Sequence, residues 1–276
     1  MFSNVNEVVE QIRRAQLGGY RFVINWSKSA YRDPNRPGDP WSYYFEPCFA
    51  NIPVDARDQA TDIQELAGGV SVACSCDNII TPREVDGICA PLLLPKDRHG
   101  AHSIIRNHII LKEEIRNKID EFFLKRLSRH AVIGLHVRGA GRTDGGVPAM
   151  RKLHGVKDGN AAPMAPFFEA VDRIAQDNPV AKIFACSDSE AVIRQIITRF
   201  GDRVVLWPAQ RSEFGEMHAN HPQNSGLNFS RYRLGLDVIA EAYLLSKAQH
   251  LVHGNSNVTN FVLCHNPDLE NHYIPA

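Results

Sequence analysis

From residue 131 onward, short apolar runs rich in β-formers alternate with amphipathic helical segments, and this alternation is what most constrains the fold. Ala131–Arg138 (AVIGLHVR) reads as a strand and Pro163–Gln176 as a helix. Ala181–Ser187 (AKIFACS) is again a strand, followed by a helix over Ser189–Phe200. Arg203–Trp207 is a third strand and, after a polar loop, Arg231–Lys247 a third helix; Gln249–Gly254 and Asn257–Cys264 complete a fourth pair. Four βα units in succession imply an α/β protein with a parallel, doubly wound sheet.

The first half is less regular. Val5–Gln16 is expected to be helical, with Val8, Val9 and Ile12 on one face and Gly18-Gly19 as its stop. A short strand is expected at Arg21–Trp26, and a Pro- and Asp-rich loop, Asp33–Pro40, leads into the aromatic cluster Trp41, Tyr43, Tyr44 and Phe45. Gly69–Cys76 reads as a further strand and residues 77–100 as irregular. His102–Leu127 is expected to be one long helix, with Ile105, Ile109, Ile115, Ile119, Phe122 and Phe123 as its apolar stripe. The division that follows is an N-terminal α/β domain at 1–105, a linking helix at 106–130 and a ligand-binding domain at 131–276.

Thirty-one basic residues balance thirty-one acidic ones, so no global field recruits nucleic acid or an anionic membrane. Positive charge for a phosphate-bearing ligand must therefore be supplied locally. The start of the chain has no apolar secretory core, and no run approaches the roughly 20 apolar residues a bilayer requires. A cytoplasmic location follows as the expectation, with the six cysteines (48, 74, 76, 89, 186, 264) as free thiols. Cys74-Ser-Cys76 is too closely spaced for a metal knuckle, and His218 and His221 lack a third ligand at helical spacing, so no metal is expected. Dinucleotide, Walker and nucleophile-elbow motifs are absent, and Asp188-Ser189-Glu190 is not a D-x-D metal motif.

In doubly wound sheets ligands sit beyond the carboxyl ends of the strands. The first strand delivers His136 and Arg138, then a glycine-rich loop that starts at Gly139 and carries Arg142 and Asp144. The second delivers Ser187 and Asp188, and the fourth delivers Ser256 and Asn257 at a helix start. Arg138 offers a planar fork matched to phosphate oxygens. The helix opening at Ser256 and Asn257 offers free N–H groups and a positive dipole end to an anion. Gly139 lets the backbone approach a ligand, and Asp188 could accept hydrogen bonds from a ribose or base. Each residue also has a purely structural alternative: Arg138 as an ion-pair partner, Asp188 and Ser256 as helix caps, His136 as a hydrogen-bonded core histidine. Capping alone does not predict that three strand ends converge in this way.

Three segments, IGLHVRGAGRTD (133–144), KIFACSDSEAVIRQI (182–196) and DVIAEAYLLSKAQHLVHGNSNVTNFV (237–262), resemble the three motifs of the α-1,6-fucosyltransferases and the rhizobial nodulation fucosyltransferases. NWSKSAYRDP and PWSYYFEP in the N-terminal half resemble the nodulation enzymes as well. The resemblance implies a GT-B-like fold of two Rossmann-like domains, with GDP-fucose on the C-terminal one and a glycan acceptor in the cleft. It implies an inverting transfer without a metal or other cofactor. Arg138 would bind the β-phosphate and stabilise the leaving GDP, His136 would contact the nucleotide, and Ser256 and Asn257 the phosphates. Glu241 stands where the family has an aspartate that reads the guanine edge. Arg142 and Asp144 are the candidates on the acceptor side, including for the base. Met1-Phe2 stands where the family has a hydrophobic pair, and the glycine loop that precedes that pair has no counterpart. A transferase for another nucleotide sugar, or a non-catalytic sugar-nucleotide or glycan-binding protein, are the alternative functions.

Overall fold

The computed structural model describes residues 1, 2, 4–6, 8, 9, 12, 13, 24, 26, 29, 31–48, 95–138, 163–212, 230–254 and 256–274. Five parallel strands form one sheet: β1 (Val132–His136), β2 (Lys182–Cys186), β3 (Val204–Val205), β4 (His250–His253) and β5 (Glu270–Tyr273), in the order β3-β2-β1-β4-β5. Helices α1 (Trp41–Tyr44), α2 (Pro95–His108), α3 (Glu113–Arg126), α4 (Met164–Ala175), α5 (Glu190–Phe200), α6 (Arg231–Leu245) and α7 (Asn257–His265) surround it.

Strand period two divides the sheet into two faces. Ile133, Leu135, Ile183, Ala185 and Val252 pack beneath α4 and α5 in one core. Val132, Phe184, Cys186 and Leu251 belong to the other, with α3, α6 and α7. Burial on both faces explains the nearly continuous apolar reading of β1 and β2. A Cβ on Gly134 of β1 would meet Leu245 at 3.0 Å and Leu251 at 3.3 Å, so the glycine lets the end of α6 lie close to the sheet.

The expected βα alternation is present with boundaries shifted by one or two residues, but β5 adds a parallel edge strand that the sequence reading missed. Its residues, Glu-Asn-His-Tyr, are exposed or half-buried and carry no apolar signal. The expected long helix His102–Leu127 is instead two helices, α2 and α3. Between them Leu111 bridges to Phe45; Glu46 N–H donates to the Ile110 carbonyl at 2.8 Å and Lys112 N–H to the Tyr44 carbonyl at 2.9 Å. This long-range pairing takes β-branched Ile109 and Ile110 out of helical conformation, and Glu113 and Glu114 open the next helix at its favourable positive end. Helix α2 also begins at Pro95, inside the stretch expected to be irregular, and proline suits a first helical turn. The strand expected at Gly69–Cys76 lies outside the described residues, as does most of Arg21–Trp26.

The N-terminal residues share a core with the end of the chain. Val5, Val8, Val9 and Ile12 are buried, as the helical stripe requires, and the Phe2 ring lies 4.4 Å from that of Phe261 in α7. Asn6 Nδ2 donates to the Asn257 carbonyl at 3.1 Å. Tyr44 of α1 stacks on Tyr232 of α6 with a 5.5 Å centroid separation and donates to its carbonyl at 3.0 Å. Asp33 accepts from Ser230 Oγ and Tyr232 N–H, fastening the Pro-rich loop to the start of α6. Among the described residues Cys48, Cys186 and Cys264 are free thiols. No helix there is long and apolar enough to cross a membrane.

Candidate functional site

The sheet reverses its winding between β1 and β4. From β1 the chain moves outward through β2 and β3, then returns to place β4 on β1's other side. A crevice opens at such a switch point beyond the strand ends. A cavity of about 110 Å³ lies there, lined by His136 and Arg138 after β1, Ser187 and Asp188 after β2, and Ser256 and Val258 at the start of α7. Gln210, Asp237 and Glu241 are the main additions from the β3 loop and α6. A larger cavity of about 500 Å³ lies among α2, α3 and the end of α6, but no strand's carboxyl end reaches it.

The structure thus brings together six of the expected residues: His136, Arg138, Ser187, Asp188, Glu241 and Ser256. Asn257 does not line the cavity; it opens α7, and its carbonyl is tied to Asn6. Gly139, Arg142 and Asp144 lie outside the described residues, as do His218 and His221.

Local structure decides what each side chain is free to do. Asp188 is not the helix cap: Ser189 caps α5, its Oγ accepting from Val192 N–H. The Asp188 backbone accepts from Ser212 N–H at 2.9 Å, while its carboxylate acts electrostatically on His136 and Glu241. Ser256 does cap α7, accepting from Val258 N–H at 3.1 Å, so the structural alternative holds for its oxygen lone pair. His136 is buried, and burial followed by the charges of His253 and Arg138 pushes it down to about 4, against the opposing pull of Asp188. It is neutral near pH 7, and its Nδ1 is buried without a hydrogen-bond partner. Ser187 is buried and its Oγ accepts from Ser189 N–H at 3.1 Å.

Two of the lining carboxyls, Asp237 and Glu241, belong to a hydrogen-bonded network with arginines that the sequence reading did not find. Arg211 Nη2 lies 3.0 Å from Glu241 Oε1, with the two side chains only 7% and 11% exposed. The same guanidinium donates to the Trp207 and Ala209 carbonyls, both at 3.1 Å. Asp237, buried, accepts from Trp207 Nε1 at 3.1 Å and Gln210 N–H at 3.0 Å, and pairs with Arg233 at 2.8 Å. Burial raises the Glu241 carboxyl to about 8, with Asp237 and Asp188 adding to the rise and Arg211 opposing it. A signal for this network exists: Arg233, Asp237 and Glu241 recur every fourth residue on a helix that is otherwise largely buried. Helix spacing alone cannot supply Arg211, which arrives from the loop after β3.

This architecture defines a GT-B-like α/β fold of the kind found in fucosyltransferases. The crystal structure of fucosyltransferase NodZ from Bradyrhizobium superimposes with a TM-score of 0.56 at 20% identity, covering 98% of this chain and 89% of that one. NodZ α-1,6-fucosyltransferase soaked with GDP-fucose gives 0.55 at 20% identity, over 96% and 89% of the two chains. Arabidopsis thaliana FUT1 in complex with GDP, as a point mutant, gives 0.53 at 11% identity, over 99% and 67%. No curated protein sequence matches the chain. The model of the nodulation protein Z (NodZ) family matches residues 84–255, more than half of the sequence, and the chain belongs to that family.

Proposed function

We propose that this protein is an inverting, metal-independent fucosyltransferase that moves fucose from GDP-fucose to a glycan acceptor. The observation that carries the reading is the convergence of Arg138, Asp188 and the Ser256-capped start of α7 at the β1–β4 crevice, in a chain of the NodZ family. A NodZ relative of the same fold has been crystallised with GDP-fucose soaked in.

In this reading the diphosphate lies over the start of α7, where the positive end of the helix dipole attracts it. An acceptor hydroxyl attacks the anomeric carbon from the face opposite GDP. The new C–O bond forms as the bond to the β-phosphate oxygen breaks, and negative charge grows on the departing diphosphate. Arg138, a fixed cation, is worth most where that charge develops, which removes the need for a metal. His136, neutral at pH 7, can hydrogen-bond the nucleotide without adding charge. Burial raises the Glu241 carboxyl to about 8, so guanine N1–H and N2–H₂ would have to draw it into the carboxylate form to be accepted by the oxygen that Arg211 does not hold. Asp144 is the candidate base for the acceptor proton. A cavity of about 110 Å³ accommodates only part of such a donor, with the rest of the molecule extending along the strand ends.

Thermal unfolding with GDP, UDP and ADP tests the donor without requiring an acceptor. GDP at 100 times its dissociation constant should add about 2.7 kcal/mol of stability, with UDP and ADP adding less. Equal stabilisation by UDP removes the guanine assignment. With GDP-fucose and a glycan panel, binding without GDP release or transfer identifies a non-catalytic binding protein, and loss of transfer on chelation at an unchanged melting temperature overturns the metal-free mechanism.

A further inference from the structure

At the outer edge of the sheet three side chains meet on one face of the β4–β5 pair. The parallel register sets Glu270 beside His250, and His272, two residues along, points to the same side. His250 Nδ1 lies 3.3 Å from Glu270 Oε2, and His272 Nε2 lies 3.4 Å from Glu270 Oε1. One donor atom from each of the three residues falls within 4.8 Å of the other two. Both imidazole nitrogens are shielded from solvent and neither has an aligned hydrogen-bond partner, although each is close to the carboxylate.

We propose that His250, Glu270 and His272 form a binding site for a divalent transition-metal ion of the zinc type. Zn²⁺ holds imidazole nitrogen and carboxylate oxygen at about 2.0–2.2 Å, so tetrahedral ligands stand roughly 3.3–3.5 Å from one another. The nitrogen–oxygen separations of 3.3 and 3.4 Å are of this size, each to a different oxygen of Glu270. With all three donors within 4.8 Å of one another, a small rotation of the carboxylate completes the set. Two imidazoles with one carboxylate favour Zn²⁺ and its late first-row neighbours over Mg²⁺, which prefers an octahedron of oxygens. The fourth position is left for water.

The site begins β4, whereas the nucleotide cavity lies beyond the strands' carboxyl ends, so the metal takes no part in the transfer chemistry. Its role is mechanical. β5 buries no complete side chain, and a metal held jointly by β4 and β5 fastens this edge strand to the sheet and covers part of an open edge.

The test is Zn²⁺ titration of chelator-treated, desalted protein by calorimetry, with Co²⁺ as a spectroscopic probe of tetrahedral nitrogen–oxygen ligation. The expected result is one saturable equivalent, a Zn²⁺-dependent rise in melting temperature and no comparable rise with Mg²⁺. His250→Ala and His272→Ala should each weaken binding by at least about tenfold. Glu270→Gln preserves the shape of the site and should fold normally without metal while losing Zn²⁺ affinity. The chain contains 12 histidines, so uptake that persists undiminished in the His250→Ala/His272→Ala double variant overturns the assignment. Absence of Zn²⁺ uptake by the unmodified protein also overturns it, leaving Glu270 as an ordinary bridge between two imidazoles, as does equally tight binding of Mg²⁺.

Discussion

Arg211→Ala probes how the cavity is built. The substitution removes three hydrogen bonds, to Glu241 Oε1 at 3.0 Å and to the Trp207 and Ala209 carbonyls at 3.1 Å. It leaves the Glu241 carboxyl buried with Asp237 and Asp188 as its charged neighbours. Where Glu241 is ionised, breaking one side of this buried pair costs about 3–5 kcal/mol. In a chain of this size each kcal/mol moves the melting temperature by about 2–4 °C, so a fall of roughly 6–20 °C is expected. Glu241→Gln is the milder change, at about 1–2 kcal/mol, because the amide still accepts from Arg211 and the lost charge was already disfavoured by burial. The pH dependence has a definite sign. A carboxyl raised to about 8 in the folded state contributes stability in full below its unfolded value and loses it as pH climbs through the folded value. Without Arg211 that value rises further, so the variant keeps its proton where the parent protein releases it, and its deficit widens with pH. Urea unfolding of both proteins at about pH 6 and about pH 9 measures this directly. An equal deficit at both pH values, or a greater loss from Glu241→Gln than from Arg211→Ala, refutes the reasoning.

Arg138→Ala should lower turnover by about 10²–10³ with little change in melting temperature, and lysine should rescue it poorly; a destabilised but fully active variant makes Arg138 an ordinary ion-pair residue. Ser256→Ala should cost about 1 kcal/mol through loss of the α7 cap. Ser256→Asp should keep the cap but repel a diphosphate, so calorimetry should show weaker GDP binding at near-normal stability, and unchanged affinity would move the phosphates away from α7. A Cβ on Gly235 of α6 would lie 2.2 Å from Tyr44 Oη and 2.7 Å from Met1 Cε, so Gly235→Ala should cost about 1–3 kcal/mol by overpacking; an unchanged denaturation midpoint would contradict that packing.

The βα alternation was readable because strands buried on both faces must be apolar, and the helices between them carry one apolar face. β5 was invisible for the same reason, since its place at the edge demands little burial and its residues are polar. The break between α2 and α3 is a tertiary effect: nothing local at Ile109–Lys112 forbids a helix, and only the pairing with Phe45, 66 residues earlier, prevents it. The strand-end rule brought His136, Arg138, Ser187, Asp188 and Ser256 to one crevice, because in a parallel sheet chain direction alone dictates which end faces it. It could not weigh Glu241 correctly. That side chain's carboxyl is raised first by burial and then by Asp237 and Asp188, and its partner Arg211 comes from an irregular loop with no periodicity to read.

The joining of the first residues to the last has a consequence for synthesis. Asn6 meets Asn257 across 251 residues, and Tyr44 meets Tyr232 across 188. At about 5–20 residues per second, the partner of Asn6 leaves the ribosome roughly 10–50 s after Asn6 itself. Throughout that interval Phe2, Val5, Val8, Val9 and Ile12, all buried in the finished protein, have no Phe261 to cover them. The β1–β2 region, whose strands are consecutive in sequence, can assemble while the chain is still growing, whereas Phe2, Val5, Val8, Val9 and Ile12 must wait for the last βα unit. Nascent chains stalled before α7 should therefore expose an apolar N-terminus to chaperones and proteases, and vectorial synthesis makes completion of α7 the step that closes this core.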